Sequence, residues 1–181
     1  LPKKYAIFTY HPTTLEDSDL KRDLDAIFDT LLKSDIGVLF THANADFGGK
    51  TINNSIEDFC KLDTNKYKVI KSLGQLRYLS AMKHANLLIG NTSSGIIEAA
   101  SFYKPVVNIG NRQLGRLRGI NIIDCTIQEL YQSITLALSN DFIIKCQNQQ
   151  NIYGVGNVSK HIVQKLIKQP LSVVKKFIDI K

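Results

Sequence analysis

Hydrophobic residues along this 181-residue chain fall into short continuous runs separated by longer stretches of helical spacing. The runs lie at Tyr5–Thr9, 36–40, 68–70, 85–89, Val106–Ile109 and 120–123. Such runs predict strands of a parallel sheet, because those strands are covered on both faces and need no polar alternation. Between them, Leu20, Leu24, Ile27, Phe28, Leu31 and Leu32 recur at helical spacing. So do Leu76, Leu79 and Met82, and Ile127, Leu130, Ile134 and Leu138. Further helices are expected over 51–62, after the polar turn at 91–95, and over 158–167. Glu16, Asp17 and Asp19 precede the first stripe, where the positive end of a helix dipole favours acids, and Asn157 stands as cap of the last helix. Lys104-Pro105 stops the preceding helix and opens the next strand.

Strands alternating with amphipathic helices imply βαβ units, and the right-handed crossover rule turns these into a doubly wound sheet. The expected fold class is α/β: a Rossmann-like three-layer α/β/α sandwich with a parallel sheet. Residues 1–169 are read as one domain and 170–181 as a C-terminal extension whose apolar pairs call for a partner surface. Hydrophobic residues at 44% and charged residues at 22% are ordinary for a globular chain, and no apolar run reaches the roughly 18 residues that span a bilayer, so no membrane association is expected. The front shows no secretory leader, and Leu1 in place of Met points either to the boundary of an excised segment or to processing. Cys60, Cys125 and Cys146 are odd in number and far apart, which predicts reduced thiols and a cytoplasmic setting.

A net charge of +7 is compatible with nucleic acid, anionic membranes or phosphate-bearing ligands. The basic residues form small clusters (Lys3-Lys4, Arg116 with Arg118, Lys175-Lys176) without interleaved aromatics, so nucleic acid is not the expected partner.

Ligands of an open parallel sheet bind beyond the carboxyl ends of its strands. The loops that matter are therefore His11-Pro12-Thr13-Thr14, 43–50, 91–95 and 110–119. In Asn91-Thr92-Ser93-Ser94-Gly95, small residues let the backbone approach an anion at a helix N-terminus, which describes a diphosphate cradle. The same residues also make an ordinary Ser/Thr cap. Glu98 has Gly95 three residues before it, so it is no capping-box partner. It is either a dipole-favoured acid or a carboxylate for ribose hydroxyls. Arg112, Arg116 and Arg118 share a glycine-rich loop that is either solvated or phosphate-binding, with Arg112 the foremost candidate. His11, at a strand end and held extended by Pro12, is either structural or a donor and proton-transfer group. There is no nucleophile elbow, Walker A loop, metal motif or GxGxxG after the first strand, so no metal, NAD or other cofactor is expected.

Taken together and in order, HPTT, NADFGGK, GNTSSGIIEA, KPVVNIGNRQLGR and NIYGVGN resemble the C-terminal domain of hydrolysing UDP-N-acetylglucosamine 2-epimerases of the sialic-acid pathway type. The resemblance implies one half of a glycosyltransferase-B-like two-domain enzyme, with residues 1–169 as its nucleotide-sugar-binding domain. It implies that UDP-N-acetylglucosamine and water give N-acetylmannosamine and UDP: the proton on sugar carbon 2 is lost as UDP leaves carbon 1, and water then adds. Thr92 and Ser93, with Ser94 and Gly95, would hold the diphosphate, and Glu98 the ribose. His11 and Arg112 would approach the phosphate and sugar, with His11 catalytic. Asn44 and Asp46 would lie at the nucleotide site, and residues 69–73 would border the uracil. The family's key carboxylates lie in an N-terminal domain, so this segment alone is expected to be inactive, and the full-length protein a homo-oligomer. Ser72, Ile152 and Val155 depart from the family pattern, and Ser72 is given no base-binding role. A glycosyltransferase donor domain, an epimerase of a UDP-diacetamido-trideoxy sugar or GDP sugar, and a basic non-catalytic module are the competing readings.

Overall fold

The computed structural model describes residues 1–13 and 19–170. The expectations placed on Thr14, Glu16, Asp17 and the apolar tail 171–181 lie outside the described residues. Six parallel strands, β1 (Tyr5–Thr9), β2 (Gly37–Thr41), β3 (Tyr67–Ile70), β4 (Leu87–Gly90), β5 (Val106–Ile109) and β6 (Ile122–Cys125), lie in the order β3-β2-β1-β4-β5-β6. The helices are α1 (Leu20–Lys33), α2 (Gly49–Cys60), α3 (Gly74–His84), α4 (Ser93–Ile97), α5 (Leu130–Ala137), α6 (Asn140–Gln147) and α7 (Val158–Lys168), with a 3₁₀ turn at Ala99–Phe102. This is the doubly wound α/β fold expected from the sequence. Its strand order reverses between β1 and β4, where successive loops diverge and leave a crevice.

One face of the sheet packs Phe8 and Phe40 with Phe28 of α1 and Phe59 of α2. Ring centroids between Phe28 and Phe59 are 4.5 Å apart, and between Phe8 and Phe40 5.2 Å. The other face packs Ile7, Leu39 and Leu88 against Met82 of α3 and Ala99. Burying each such aromatic or aliphatic side chain contributes about 1.5–3 kcal/mol, so the continuous apolar runs are what fixes the sheet between its two helical layers. Asp19 caps α1 by accepting from the Lys21 and Arg22 N–H groups. Among the described residues no helix is long and apolar enough to cross a membrane.

Several expectations shift. The strand read at 120–123 runs Ile122–Cys125, because the Ile122 N–H turns back to the Gly119 carbonyl and leaves Ile120 outside the sheet. Leu76 of the presumed α3 stripe is 84% exposed, while Met82 is fully buried. Helix α6 was not anticipated. Its buried anchors are Phe142 and Cys146 alone, too few to show a period, and Ser139 caps it through the Phe142 N–H. Asn157 precedes α7 as expected but has a left-handed backbone (φ 60°), and its side chain makes no capping bond. The thiols of Cys60, Cys125 and Cys146 are free and buried, and burial pushes each up to about 11, which rules them out as nucleophiles near neutral pH.

Candidate functional site

At the switch point the carboxyl ends of β1 and β4 meet so closely that a side chain will not fit between them. Gly90 has φ 133°, and a Cβ there would lie 1.9 Å from the Thr9 carbonyl oxygen. The next residue, Asn91, is 1% exposed. Its Oδ1 accepts from the His11 N–H (2.7 Å) and its Nδ2 donates to the His11 carbonyl (2.8 Å). One side-chain amide thus extends the β1–β4 ladder past the end of β4 and fixes His11 at the mouth of the crevice. The Asn91 carbonyl in turn accepts from Arg112 Nη1 (3.2 Å) and from Gln113 Nε2 (2.8 Å). His11 and Arg112, far apart in sequence, are therefore joined through a single buried residue.

The Asn44 N–H donates to His11 Nδ1 (3.1 Å), so neutral His11 carries its proton on Nε2. Burial, then the Arg112 charge, lower the His11 pKa from 6.5, outweighing the nearby Asn44 side chain and the Asp46 charge, which raise it. Near neutral pH the imidazole is a neutral Nε2–H donor. Just below pH 6.5 the unfolded chain binds more protons at this position than the folded one, so this group's contribution to stability is present above 6.5 and is lost as pH falls through its lowered folded value. Urea titrations across that window should show stability rising with pH, and His11→Gln should remove that component; an unchanged pH profile in the variant would place the imidazole elsewhere.

After Asn91, Thr92 caps α4, its Oγ1 accepting from the Ser94 N–H. Ser94 Oγ donates to Glu98 Oε2 at the end of α4. Thr92, Ser94 and Glu98 line one cavity of about 390 Å³ with Thr9, Thr41, His42 and Tyr78. Lys71, Ser72 and Leu73, from the segment expected to border a base, line it as well. Ser93 opens α4, and Gly95 is turned to the sheet, where a Cβ would sit 3.1 Å from Val106 Cγ1. The glycine thus lets α4 lie close on β5. Asn44 and Asp46 line a neighbouring cleft of about 620 Å³, which shares His42 and Lys71 with the first cavity. The Asn44 side chain donates to Asp46, and its Oδ1 is buried without a partner. The expected residues therefore form two groups: Thr92, Ser94 and Glu98 around the cavity, and Asp46, Asn44, His11 and Arg112 in one chain of contacts beside it.

The other arginines of the loop divide by role. Arg118 grips both Asp124 oxygens through Nε (3.1 and 2.9 Å), and its Nη1 donates to the Gln113 and Arg116 carbonyls, so it folds the loop. Arg116 is exposed. The late NIYGVGN segment is a clasp. Asn151 Nδ2 donates to the Ile97 carbonyl and to Ser101 Oγ, and the Tyr153 hydroxyl to the Leu117 carbonyl. Asn91, Gln113 and Tyr78 were missed as individual site residues. The first two stand inside motifs with a recognisable spacing, but an isolated Tyr on a helix carries no such signal. Among the described residues no group of three or more His, Cys, Asp or Glu is placed to hold a metal ion.

A family model described as UDP-N-acetylglucosamine 2-epimerase matches residues 1–167. A GDP/UDP-N,N'-diacetylbacillosamine 2-epimerase (hydrolyzing) of Campylobacter jejuni is 41% identical over 145 residues, covering 78% of this chain and 37% of that protein. The polysialic acid biosynthesis protein P7 of Escherichia coli is 31% identical over 187 residues, covering 99% of this chain and 47% of that protein. A UDP-GlcNAc 2-epimerase from Neisseria meningitidis, solved bound to UDP-GlcNAc, superposes with a TM-score of 0.71 at 18% identity, over 92% of this chain and 45% of that one. The chain spans less than half the length of these relatives. The solved structure shares its fold, one half of a glycosyltransferase-B-like architecture.

Proposed function

The chain belongs to the UDP-N-acetylglucosamine 2-epimerase family, and from that premise we propose that it is the nucleotide-gripping half of a hydrolysing 2-epimerase that acts on a UDP-linked 2-acetamido sugar. The observation that carries this reading is the convergence of Thr92, Ser94 and Glu98 on one cavity beside His11 and Arg112. The N–H groups of Ser93 and Gly95 and the Thr92 hydroxyl receive the diphosphate at the start of α4. Glu98 takes the ribose hydroxyls. Arg112 supplies positive charge and His11 a neutral Nε2–H donor toward the diphosphate and the sugar.

The reaction divides between two halves of one polypeptide. A base on the opposite half removes the proton from sugar carbon 2 while the carbon 1–oxygen bond breaks and UDP departs with the electron pair. Water then adds across the resulting double bond, hydroxyl to carbon 1 and hydrogen to carbon 2, to give the manno epimer. This half stabilises the leaving diphosphate, whose charge grows as the bond breaks; fixed donors aimed at developing charge act most strongly there. Because Asn44 occupies Nδ1, His11 serves as donor to the leaving group and not as the base at carbon 2. Residues 1–169 form the nucleotide-sugar domain, 170–181 an extension from it, and the full-length protein assembles as a homo-oligomer.

N-acetylglucosamine is the sugar suggested by the family description and by the sialic-acid-type motifs. The 41% identity to a diacetamido-sugar enzyme favours a second reading, in which the sugar carries a further acetamido group. UDP release from UDP-N-acetylglucosamine against its diacetamido-trideoxy counterpart, assayed on the full-length protein, separates the two. The nucleotide reading is tested by calorimetric titration with UDP, GDP and uridine: UDP should bind in the micromolar to millimolar range, well ahead of uridine. Arg112→Ala should weaken UDP but hardly uridine, and an equal loss for both would put Arg112 away from the diphosphate. No preference for UDP over uridine would sink the site.

A further inference from the structure

We propose that the Thr9–Thr41 hydroxyl pair reads the base of the nucleotide, with Thr41 donating to the ring carbonyl nearest the ribose, O2 of uracil; the inference rests on the reading of this cavity as the UDP site. Along β1 and β2 the positions that face α3 are apolar until the last. Ile7 and Leu39 pack with Met82, and two positions further on Thr9 and Thr41 take the same face by strand alternation. The strands pair with Phe8 beside Phe40, so the two threonines stand side by side, and their Oγ1 atoms lie 2.6 Å apart. Each is 7% exposed, and both line the cavity.

Two hydroxyls joined by one hydrogen bond hold two protons and spend one of them on each other. Either oxygen can be the donor, and the other keeps its proton for a further partner. Thr41 makes no second side-chain hydrogen bond among the described residues. A pair of valines would fill the same space without leaving a buried O–H unspent, so packing does not account for the hydroxyls, whereas a ligand with an acceptor does. The row across the sheet edge selects the part of the ligand. Thr9 lies beside Gly90, on the α4 side, and Thr41 beside Ile70, from which the chain runs on into Lys71, Ser72 and Leu73. Diphosphate and ribose take the α4 side, with Thr92 and Glu98. The base therefore extends across the row toward β3, where Leu73, Tyr78 and Leu79 give the cavity an apolar wall suited to a flat ring. Neighbouring strands are about 4.8 Å apart, so Thr41 stands one strand nearer the base than Thr9. A carbonyl oxygen only accepts, and hydroxyls rotate to suit their partners. Thr9 donates to Thr41, and Thr41 donates to O2.

The test is calorimetry on the full-length protein with three ligands: UDP, 2-thio-UDP, whose sulfur is a weaker acceptor than O2, and 2′-deoxy-UDP, which lacks a ribose hydroxyl. The unaltered protein should prefer UDP over 2-thio-UDP by about 5-fold, the size of one modest hydrogen bond. That comparison needs no variant, so it stands whatever a substitution does to folding. Thr41→Val, which keeps shape and β-branching, should abolish this preference and leave the preference over 2′-deoxy-UDP intact. Thr41→Ser, which retains the hydroxyl, should keep both. Glu98→Ala should give the mirror image, losing the 2′-deoxy discrimination and keeping the 2-thio one. Equal affinity of the unaltered protein for UDP and 2-thio-UDP, or a Thr41→Val protein that still discriminates them, overturns the base contact. A Thr41→Val protein that loses the 2′-deoxy discrimination instead puts the pair on the ribose and overturns it equally. Failure to bind any of the three ligands overturns the UDP reading beneath it.

Discussion

Replacing Gly90 by alanine should lower the thermal midpoint by roughly 10 °C. The residue sits at φ 133°, and an added Cβ would overlap the Thr9 carbonyl oxygen at 1.9 Å. A backbone oxygen in the neighbouring strand cannot swing aside as a flexible side chain can. Either β4 or β1 must shift, and both are central strands of the sheet. Backbone strain of this kind costs about 1–3 kcal/mol by itself. The displaced packing brings the total to roughly 3–5 kcal/mol, the upper range for a single substitution. In a domain of this size each kcal/mol moves the midpoint by about 2–4 °C. Gly110→Ala is the control: φ is 70°, yet nothing lies within 4 Å of the new Cβ, so a loss near 1 kcal/mol is expected. Because Asn91 follows Gly90 and clamps His11, Gly90→Ala should also weaken UDP binding. Equal, small losses at the two glycines would mean that β1 and β4 do not approach as described.

Glu98→Ala should reduce UDP affinity by roughly 1–3 kcal/mol, the range for losing charge-assisted hydrogen bonds to a neutral partner. That is about 5- to 150-fold in Kd. The fold should tolerate the change, since Glu98 is only partly buried and its partner, Ser94 Oγ, is free to turn to water in the open cavity. Thermal stability should therefore stay within about 1 kcal/mol. Affinity for UDP unchanged in a folded variant would remove the ribose role and leave the carboxylate as a simple partner of Ser94.

The architecture was legible because it rests on a local signal. Continuous apolar runs at Tyr5–Thr9 and Val106–Ile109 became central strands with the same bounds. The stripe from Leu24 to Leu31 became the buried face of α1. Where the signal was thin, the reading slipped. Helix α6 has only Phe142 and Cys146 to anchor it. Leu76 shares the spacing of Met82, but the face it occupies looks outward. Asn157 is a residue type that caps helices, yet here its backbone is left-handed and the capping bond is not made.

The sequence by itself determined the layer order and the loops in which chemistry sits, because periodicity and turn composition are properties of neighbouring residues. It also pointed to His11, Thr92, Ser94, Glu98 and Arg112, through small polar residues placed where strands end. Only the tertiary structure decided how these act together. The Asn91 side chain reaches 80 residues back to His11, the Asn44 N–H selects the imidazole tautomer, and Arg118 is drawn off to Asp124 while Arg112 stays at the crevice. A hydrogen bond requires its partners within about 3 Å in a set direction, and for residues this far apart in the chain that geometry exists only once the β1–β4 junction has closed.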